Sequence, residues 1–488
     1  MTGETWLTAE APCFPYLLGD EPPAIPAGLA RRVASDFERF AERGLPEELE
    51  AYVRETFGID LTGRYGGRPI RNPFGKASGQ LSLSIHQIEA DQKGGLGFAV
   101  LKTVIAQDAR GRRGMAAWAV PVSRMKVQPI AGRRVARLGW TVTWAGRGWS
   151  DSFEDYLELW RQAAILARER GWVVAASAKF YVPAEGRGEP EKGAPADTLE
   201  DVLWRREEYD FTVQGLLRVW ADCGMEGPML LEQDFSPTLA GHTGARDFDA
   251  VLEWVRRSPL LVRAAAAARG ATAEGAAGGD ATSAERLTLG LKLFNTLFAD
   301  EWQLRLLQEA IRPDPEGPHF VVYANRLFDP RQETEGVRGA AYGGPDLSHR
   351  NLAILTRLRA AQHEGAIPSA SLPLSGTGDV SSGRLAVEYA LRGAESLQIH
   401  TLFQLPDLYY PMRRPASKTQ KALHLLLFHP REGLIPWMLH LKSRWGVEGT
   451  FDYLALTRWH RTAEGGEALA RLAGACPGGV EAGDTCGK

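Results

Sequence analysis

Eight short apolar runs alternate with segments of helical periodicity, the alternation persists for more than three hundred residues, and a polar group recurs where each run stops. Together these observations predict an α/β protein, a (β/α)8 TIM barrel with helical N-terminal and C-terminal extensions. Strands that are each followed by a helix return in the same direction, so the sheet is parallel, and a count of eight points to closure. An open, doubly wound sheet is the competing arrangement.

From residue 1 to about 67 the pattern is helical and broken by prolines, with amphipathic helices over 29–43 and 46–57, which reads as an extension packed on the main body. The barrel is expected over 68–405. Its strands fall at 73–77, 98–104, 173–180, 229–234, 288–294, 319–324, 372–375 and 396–400. The helical segments between them centre on 85–93, 153–170, 209–223, 248–257, 301–311, 351–363 and 384–391. Three insertions interrupt the repeat near the barrel mouth: 106–150, rich in Trp, Arg and Gly; 183–198, a Gly/Pro/Glu loop; and 264–284, whose Ala/Gly/Ser bias predicts a mobile excursion. Beyond 405 the alternation ends, and 406–475 read as a helical extension with helices over 418–428 and 434–445. Residues 476–488 are expected to be a disordered tail.

The hydrophobic fraction of 44% and charged fraction of 24% suit a water-soluble globular chain. A net charge near −3 gives no reason to expect nucleic acid or an acidic membrane surface as a partner. The four cysteines, Cys13, Cys223, Cys476 and Cys486, have no metal-binding or redox spacing, so no metal site is expected and a reducing cytoplasm is the simplest compartment. The start of the chain lacks a basic, then apolar, leader pattern, and no apolar stretch approaches the roughly 20 residues needed to span a bilayer.

In a barrel of this kind the site lies at the carboxyl ends of the strands, which here are Ser78, Lys102, Lys179, Asp234, Lys292, Asn325, Thr377 and His400. Lysine is sparse in this Arg-rich chain, yet three fall at strand ends. Residues 372–403 form a βαβ unit whose first strand ends in Gly376-Thr377-Gly378, where backbone N–H groups can face an anion.

At these positions the chain resembles the dihydroorotate dehydrogenase family, which includes the pyrimidine-reducing domain of dihydropyrimidine dehydrogenase. Asn72-Pro73-Phe74-Gly75-Lys76-Ala77-Ser78-Gly79 is similar to the family's NPFGLASG segment, and Gly97 to Thr103 to its second strand, which ends in Lys-Thr or Lys-Ser. Leu291-Lys292-Leu293 resembles its Val-Lys-Leu, Asn325 the asparagine of its sixth strand, and Gly343-Gly344, Gly376-Thr377-Gly378 and Gln398-Ile399-His400-Thr401 its GG, GTGG and QVGT segments. The resemblance covers roughly residues 65 to 405. It implies an FMN-binding barrel in which Ala77, Ser78 and Gly79 line the isoalloxazine, Lys102, Thr103 and Lys292 lie along it, and Gly344, Gly376, Thr377, Gly378, His400 and Thr401 surround the phosphate. A cation near the N1–C2=O edge stabilises the anionic reduced ring.

The chain departs from the family pattern at three places. Where the family carries its catalytic base, in Asn-x-Ser-Cys-Pro or Asn-x-Ser-Ser-Pro, this chain reads Glu232-Gln233-Asp234-Phe235-Ser236-Pro237. Anchoring on the proline gives Ser236 the base position, whereas anchoring on the strand puts Asp234 at the asparagine. Asp379 replaces a glycine of GTGG and is expected to turn away from the phosphate and cap the following helix. His400 replaces the glycine of QVGT, either as a protonated phosphate donor or as a buried strand-end residue. In the mouth segment, Trp140 and Trp144 either stack on a flat ligand or form a packed lid.

The expected activity is hydride transfer between flavin N5 and a CH–CH or C=C bond next to a carbonyl, with Asn325 orienting the carbonyl-containing substrate and Ser236, or a water near Asp234, handling the proton. A Schiff-base lyase using a strand-end lysine, and a catalytically silent barrel acting as a binding or scaffold subunit, are the alternatives. Self-association or an electron-transfer subunit fits the sequence equally well.

Overall fold

In a computed structural model of the chain, described over residues 15–119, 125–132, 135, 137–144, 148–181, 199–235, 245–272, 286–295, 299–334 and 337–475, eight parallel strands close into a barrel. They are β1 (Phe74–Lys76), β2 (Phe98–Val100), β3 (Val173–Lys179), β4 (Met229–Asp234), β5 (Leu287–Phe294), β6 (Phe320–Asn325), β7 (Leu374–Thr377) and β8 (Ala394–Ile399). Each is hydrogen-bonded to the next, and β8 pairs with β1, with Gln398 opposite Gly75. The open doubly wound sheet is thereby excluded.

The helices that cover the barrel are α1 (Ile85–Lys93), α2 (Phe153–Arg170), α3 (Leu199–Asp222), α4 (Ala245–Thr272), α5 (Asp300–Ile311), α6 (Pro345–His363), α7 (Gly383–Ala390) and α8 (Lys418–Phe428). Local chemistry sets several of their ends. Ser84, Ser152 and Ser382 each accept a backbone N–H of the first turn, and Ser417 with Gln420 completes a capping box. α4 runs to Thr272, further than the sequence pattern suggests, because its alanine-rich end is good helix former as well as low-complexity sequence. The expected loop at 183–198 and the tail at 476–488 lie outside the described residues, as does the remainder of 264–284, residues 273–284.

Strand alternation explains how one pattern makes both a core and a site. Side chains two apart share a face. In β2 the inward series runs Phe98, Val100, Lys102; in β3, Val173, Ala175, Ser177, Lys179; in β4, Leu230, Glu232, Asp234. The lower members pack with Phe320 and Val322 in one apolar layer, and the same parity delivers polar groups at the top. Room for the rings comes from glycine: a Cβ on Gly75 would lie 2.3 Å from Phe98, and one on Gly290 2.2 Å from Phe320. A hairpin, Gly63–Tyr65 with Arg68–Ile70, closes the bottom of the barrel. Its Tyr65 stacks on Phe98 (ring centroids 4.1 Å apart) and meets Phe320 edge-on.

Lys76 has the opposite parity. It faces α1, where its Nζ lies 3.0 Å from Asp91 Oδ1, both side chains being buried.

The two ends of the chain are knitted together. Helix Ala27–Arg43 packs on α8 through Phe40 and Phe428, and Ile59–Asp60 pairs in parallel with Phe451–Asp452. The segment at 15–18 is strapped onto α7: the Glu388 carboxylate accepts from the N–H groups of Leu17 (3.1 Å) and Leu18 (2.7 Å), while Arg384 and Arg392 donate to the carbonyls of Leu18 and Pro15.

Candidate functional site

At the carboxyl end of the barrel a buried polar network forms the floor of a cleft. Lys292 on β5 uses its three N–H donors on three acceptors: Ser78 Oγ (3.1 Å), Glu232 Oε2 (3.3 Å) and Gln398 Oε1 (2.8 Å). Glu232 is fully buried on β4, and its other oxygen accepts from the Tyr65 hydroxyl (2.5 Å) and from Gln398 Nε2. The lysine and the carboxylate fix the Gln398 amide with its oxygen toward Lys292. Burial, then the charge of Glu232, pushes the Tyr65 phenol well above its ordinary range, so it remains a donor. Ser78 continues the chain of contacts to Thr103 Oγ1 (3.3 Å), which meets Ser177 Oγ at 2.9 Å.

Beside this floor lies a second, closed half. Lys179 pairs with Asp234 (3.1 Å) and sits under the Trp118 ring, 4.3 Å from its centroid. The segment leading to Trp118 is tied down by hydrogen bonds. Asp108 accepts from the N–H groups of Arg110 and Arg112, Gln107 and Thr212 exchange two hydrogen bonds, and Gly114 N donates to Glu208 on α3. Lys102 is buried among these groups. Burial, assisted by the charge of Arg326 and opposed by Asp234, pushes its pKa down to about 7. Among the described residues this part of the mouth holds four cations, Lys102, Lys179, Lys292 and Arg326, against two carboxylates, Glu232 and Asp234. The excess favours an electron-rich, anionic ligand.

The cleft itself, open at its mouth, runs from Ala77, Ser78, Lys292, Asn325 and Gln398 at one end to Gly343, Gly344, Gly378 and Asp379 at the other. One wall is the hairpin Met125–Ala131 with Leu138–Trp144. Thr141 Oγ1 accepts from Gly343 N at 2.9 Å, and Trp140 meets Tyr409 edge-on. Trp140 therefore both lines the cleft and packs as a lid; the Trp144 side chain lies outside the described residues. At the far end Gly344, with φ +95°, precedes the N-terminus of α6, which carries no side-chain cap. The N–H groups and dipole of that turn face an anion favourably.

Asp379 has a place here that differs from the expectation. Ser382, not Asp379, caps α7, with Leu385 N donating to its Oγ at 3.2 Å. Asp379, at φ +51°, turns back to α6, where Ser348 Oγ donates to Oδ2 at 3.0 Å. Burial pushes its pKa up to about 7, against the hydrogen bond from Ser348 and the nearby charge of Arg137. Arg137 also hydrogen-bonds the Tyr16 hydroxyl, brought in by the strapped amino-terminal segment.

The remaining expected residues are distributed as follows. Ala77 N donates to Ile399 O (3.0 Å), and Gly79 lies against His400, whose ring would be 2.4 Å from a Cβ there. His400 and Thr401 line the cleft. Burial, then the charges of Arg326, Lys76, Lys102 and Lys292, pushes the imidazole well below its usual range, so it is neutral at pH 7 and not a cationic phosphate donor. Thr377 Oγ1 is tied to Gln398 O (3.1 Å). Gly376 lies within β7, and a Cβ there would be 2.9 Å from Leu397 and Tyr389, so its glycine serves wall packing. Asp234, Lys102, Thr103 and Gly79 lie beside the cleft rather than on its surface. Ser236 lies outside the described residues.

No protein-family model matches the chain. No curated protein matches it either. Among solved structures, DHODH from Eimeria tenella in complex with ferulenol superposes with a TM-score of 0.46 at 13% identity, over 89% of this chain and 96% of that one. A likeness at that level carries no argument about function, and the weight falls on the geometry above.

Sequence reading gives no site role to Glu232, Tyr65, Gln398 or Arg326, although Gln398 opens the QVGT-like segment and Glu232 lies in the segment aligned with the catalytic base. For Glu232 a signal existed: it stands at inward parity one step below Asp234 in an otherwise apolar run. For Tyr65 there was none, because it reaches the site from a hairpin that precedes the first barrel strand.

Two features of the cleft are compatible with a flavin nucleotide. Gly343 and Gly344 line the cleft beside the uncapped turn of α6, and a Cβ on Gly343 would make only ordinary contact, 3.8 Å from Leu347. The ring end offers a small apolar residue, a serine, a fixed lysine and an asparagine. Among the described residues no group of His, Cys, Asp and Glu is placed to hold a metal ion, and no helix is long and apolar enough to cross a membrane.

Proposed function

We propose that the protein is an FMN-dependent oxidoreductase of dihydroorotate dehydrogenase-like type, acting on a CH–CH or C=C bond next to a carbonyl. The observation that carries this reading is the buried ammonium of Lys292, held by Ser78, Glu232 and Gln398 at the floor of a cleft whose other end is an uncapped helix N-terminus. The sequence resemblance over the same residues supports it.

FMN, when bound, supplies hydride transfer at N5. The protein's own residues do the rest. Ala77, Ser78 and Gln398 shape the ring end, and Lys292 presents a fixed positive charge there. Gly343, Gly344 and Gly378 offer backbone approach at the phosphate end. Asn325 on the cleft wall orients a carbonyl, and Arg326 beside it attracts an electron-rich substrate. Trp118 over Lys179 excludes water from the closed half. The proton is handled there by the Lys179–Asp234 pair or by Lys102, whose pKa near 7 suits acid–base work at neutral pH, with Ser236 as the other candidate from the sequence.

The chain would work in the cytoplasm, alone, as a homo-oligomer or with an electron-transfer subunit. The test is to supply purified protein with FMN and follow flavin fluorescence on binding, then bleaching of the flavin by candidate dihydro-substrates. Binding with substrate-dependent bleaching supports the reading; absence of binding removes it.

One observation favours a second reading. Lys292 and Lys179 are pinned by carboxylates, but Lys102, with its pKa near 7, has the lowered basicity of a Schiff-base lysine. Borohydride trapping of Lys102 with a carbonyl compound, without flavin, would select the lyase.

A further inference from the structure

Glu232 is a fully buried carboxylate whose every contact is with the floor of the proposed flavin site. Glu232 gives the buried Lys292 ammonium a counter-charge 3.3 Å away. With its three donors engaged on Ser78, Glu232 and Gln398, Lys292 has none left for a ligand. It acts on the cleft through its electric field, and that field is diminished by the carboxylate 3.3 Å behind it.

Resting on the FMN reading, we propose that Glu232 is a positioning residue that fixes Lys292 beneath the flavin and holds the flavin's reduction potential below the value the cation alone would set. The reduced ring carries negative charge toward the lysine. The cation stabilises that form, and Glu232 offsets part of the stabilisation. Tyr65 adjusts the balance from below, since its hydroxyl donates to Glu232 and draws off part of the carboxylate's charge. The hairpin that plugs the bottom of the barrel thus has an electrostatic connection to the site at the top.

The experiment is to load the full-length wild type, Glu232→Gln and Tyr65→Phe proteins with FMN and measure midpoint potentials by equilibration with a reference dye. Glu232→Gln removes the charge at nearly constant shape, and its potential rises by at least about 30 mV, a tenfold higher reduced-to-oxidised ratio at a given solution potential for two electrons. Tyr65→Phe leaves the carboxylate charged and without the Tyr65 donor, keeping those from Gln398 and Lys292, and its potential falls. A purely structural role would alter stability or FMN affinity without producing this order. Coincident potentials, or a fall for Glu232→Gln, overturn the assignment while leaving the flavin reading intact. If Glu232→Gln does not fold, Tyr65→Phe decides: a fall supports the assignment, and no change or a rise overturns it. If FMN binds none of the three proteins, the flavin reading fails, and this inference with it.

Discussion

Replacing Asp379 by asparagine has an effect whose sign depends on pH. In the folded protein the carboxyl keeps its proton up to about pH 7, whereas its ordinary pKa is 3.8. Between pH 5 and 7 the unfolded chain has therefore lost a proton that the folded chain retains, so wild-type stability falls as pH rises through this window and levels off above it. At about 1.4 kcal/mol per unit, the two units amount to about 3 kcal/mol lost relative to Asp379→Asn, which keeps an acceptor for Ser348 and has no charge to bury. Urea unfolding of both proteins at pH 5 and pH 8 measures this directly: the variant's advantage grows by about 3 kcal/mol between the two. An advantage that is the same at both pH values refutes the reasoning. The same carboxylate adjoins the turn assigned to the phosphate, so the preference for FMN over riboflavin weakens from pH 6 to pH 8 in the wild type and is steadier in the variant.

Lys76→Leu strands Asp91 without its cation and costs about 3–5 kcal/mol in urea unfolding, whereas Lys76→Leu with Asp91→Leu recovers most of it, because a buried pair replaced as a unit is close to neutral. Gly378→Ala meets Asn351 Nδ2 at 2.6 Å and Ala324 O at 2.8 Å from a residue at φ +102°, and costs well over 2 kcal/mol; Gly111→Ala, at φ +75° in open space, costs only the backbone strain of about 1–2 kcal/mol. Lys102→Met tests the low pKa of that lysine. The folded protein releases the proton near pH 7 and the unfolded chain near its ordinary 10.5, so wild-type stability relative to the variant rises as pH goes from 7 to 10. Denaturation at pH 6.5 and 9.5 measures it, and a difference independent of pH contradicts the assignment.

The barrel was legible because strand and helix periods alternate eight times, and parity carried the polar strand ends with it. Lys76 shows how closely parity controls the outcome: one residue from Ala77, it faces α1 and pairs with Asp91 instead of entering the site. Contacts distant in sequence were less legible. Tyr65 and Glu232 are 167 residues apart and meet only because the hairpin enters the barrel from below. Asp379 was read as a cap from its position before a helix, but Ser382 stands closer to that helix and takes the role, which leaves the aspartate to Ser348. A third hairpin, Leu327–Thr334 with Val337–Tyr342, is not legible between β6 and α6 because neither strand shows a clear apolar alternation.

The most direct test of the central claim is an absorption spectrum of the purified protein incubated with excess FMN and freed of unbound flavin, from about 300 to 550 nm, repeated after denaturation. The account predicts two flavin bands in the protein fraction and release of intact FMN on unfolding, for the wild type at pH 6 and for Asp379→Asn at pH 8. A protein fraction without flavin bands for both proteins at both pH values would contradict it.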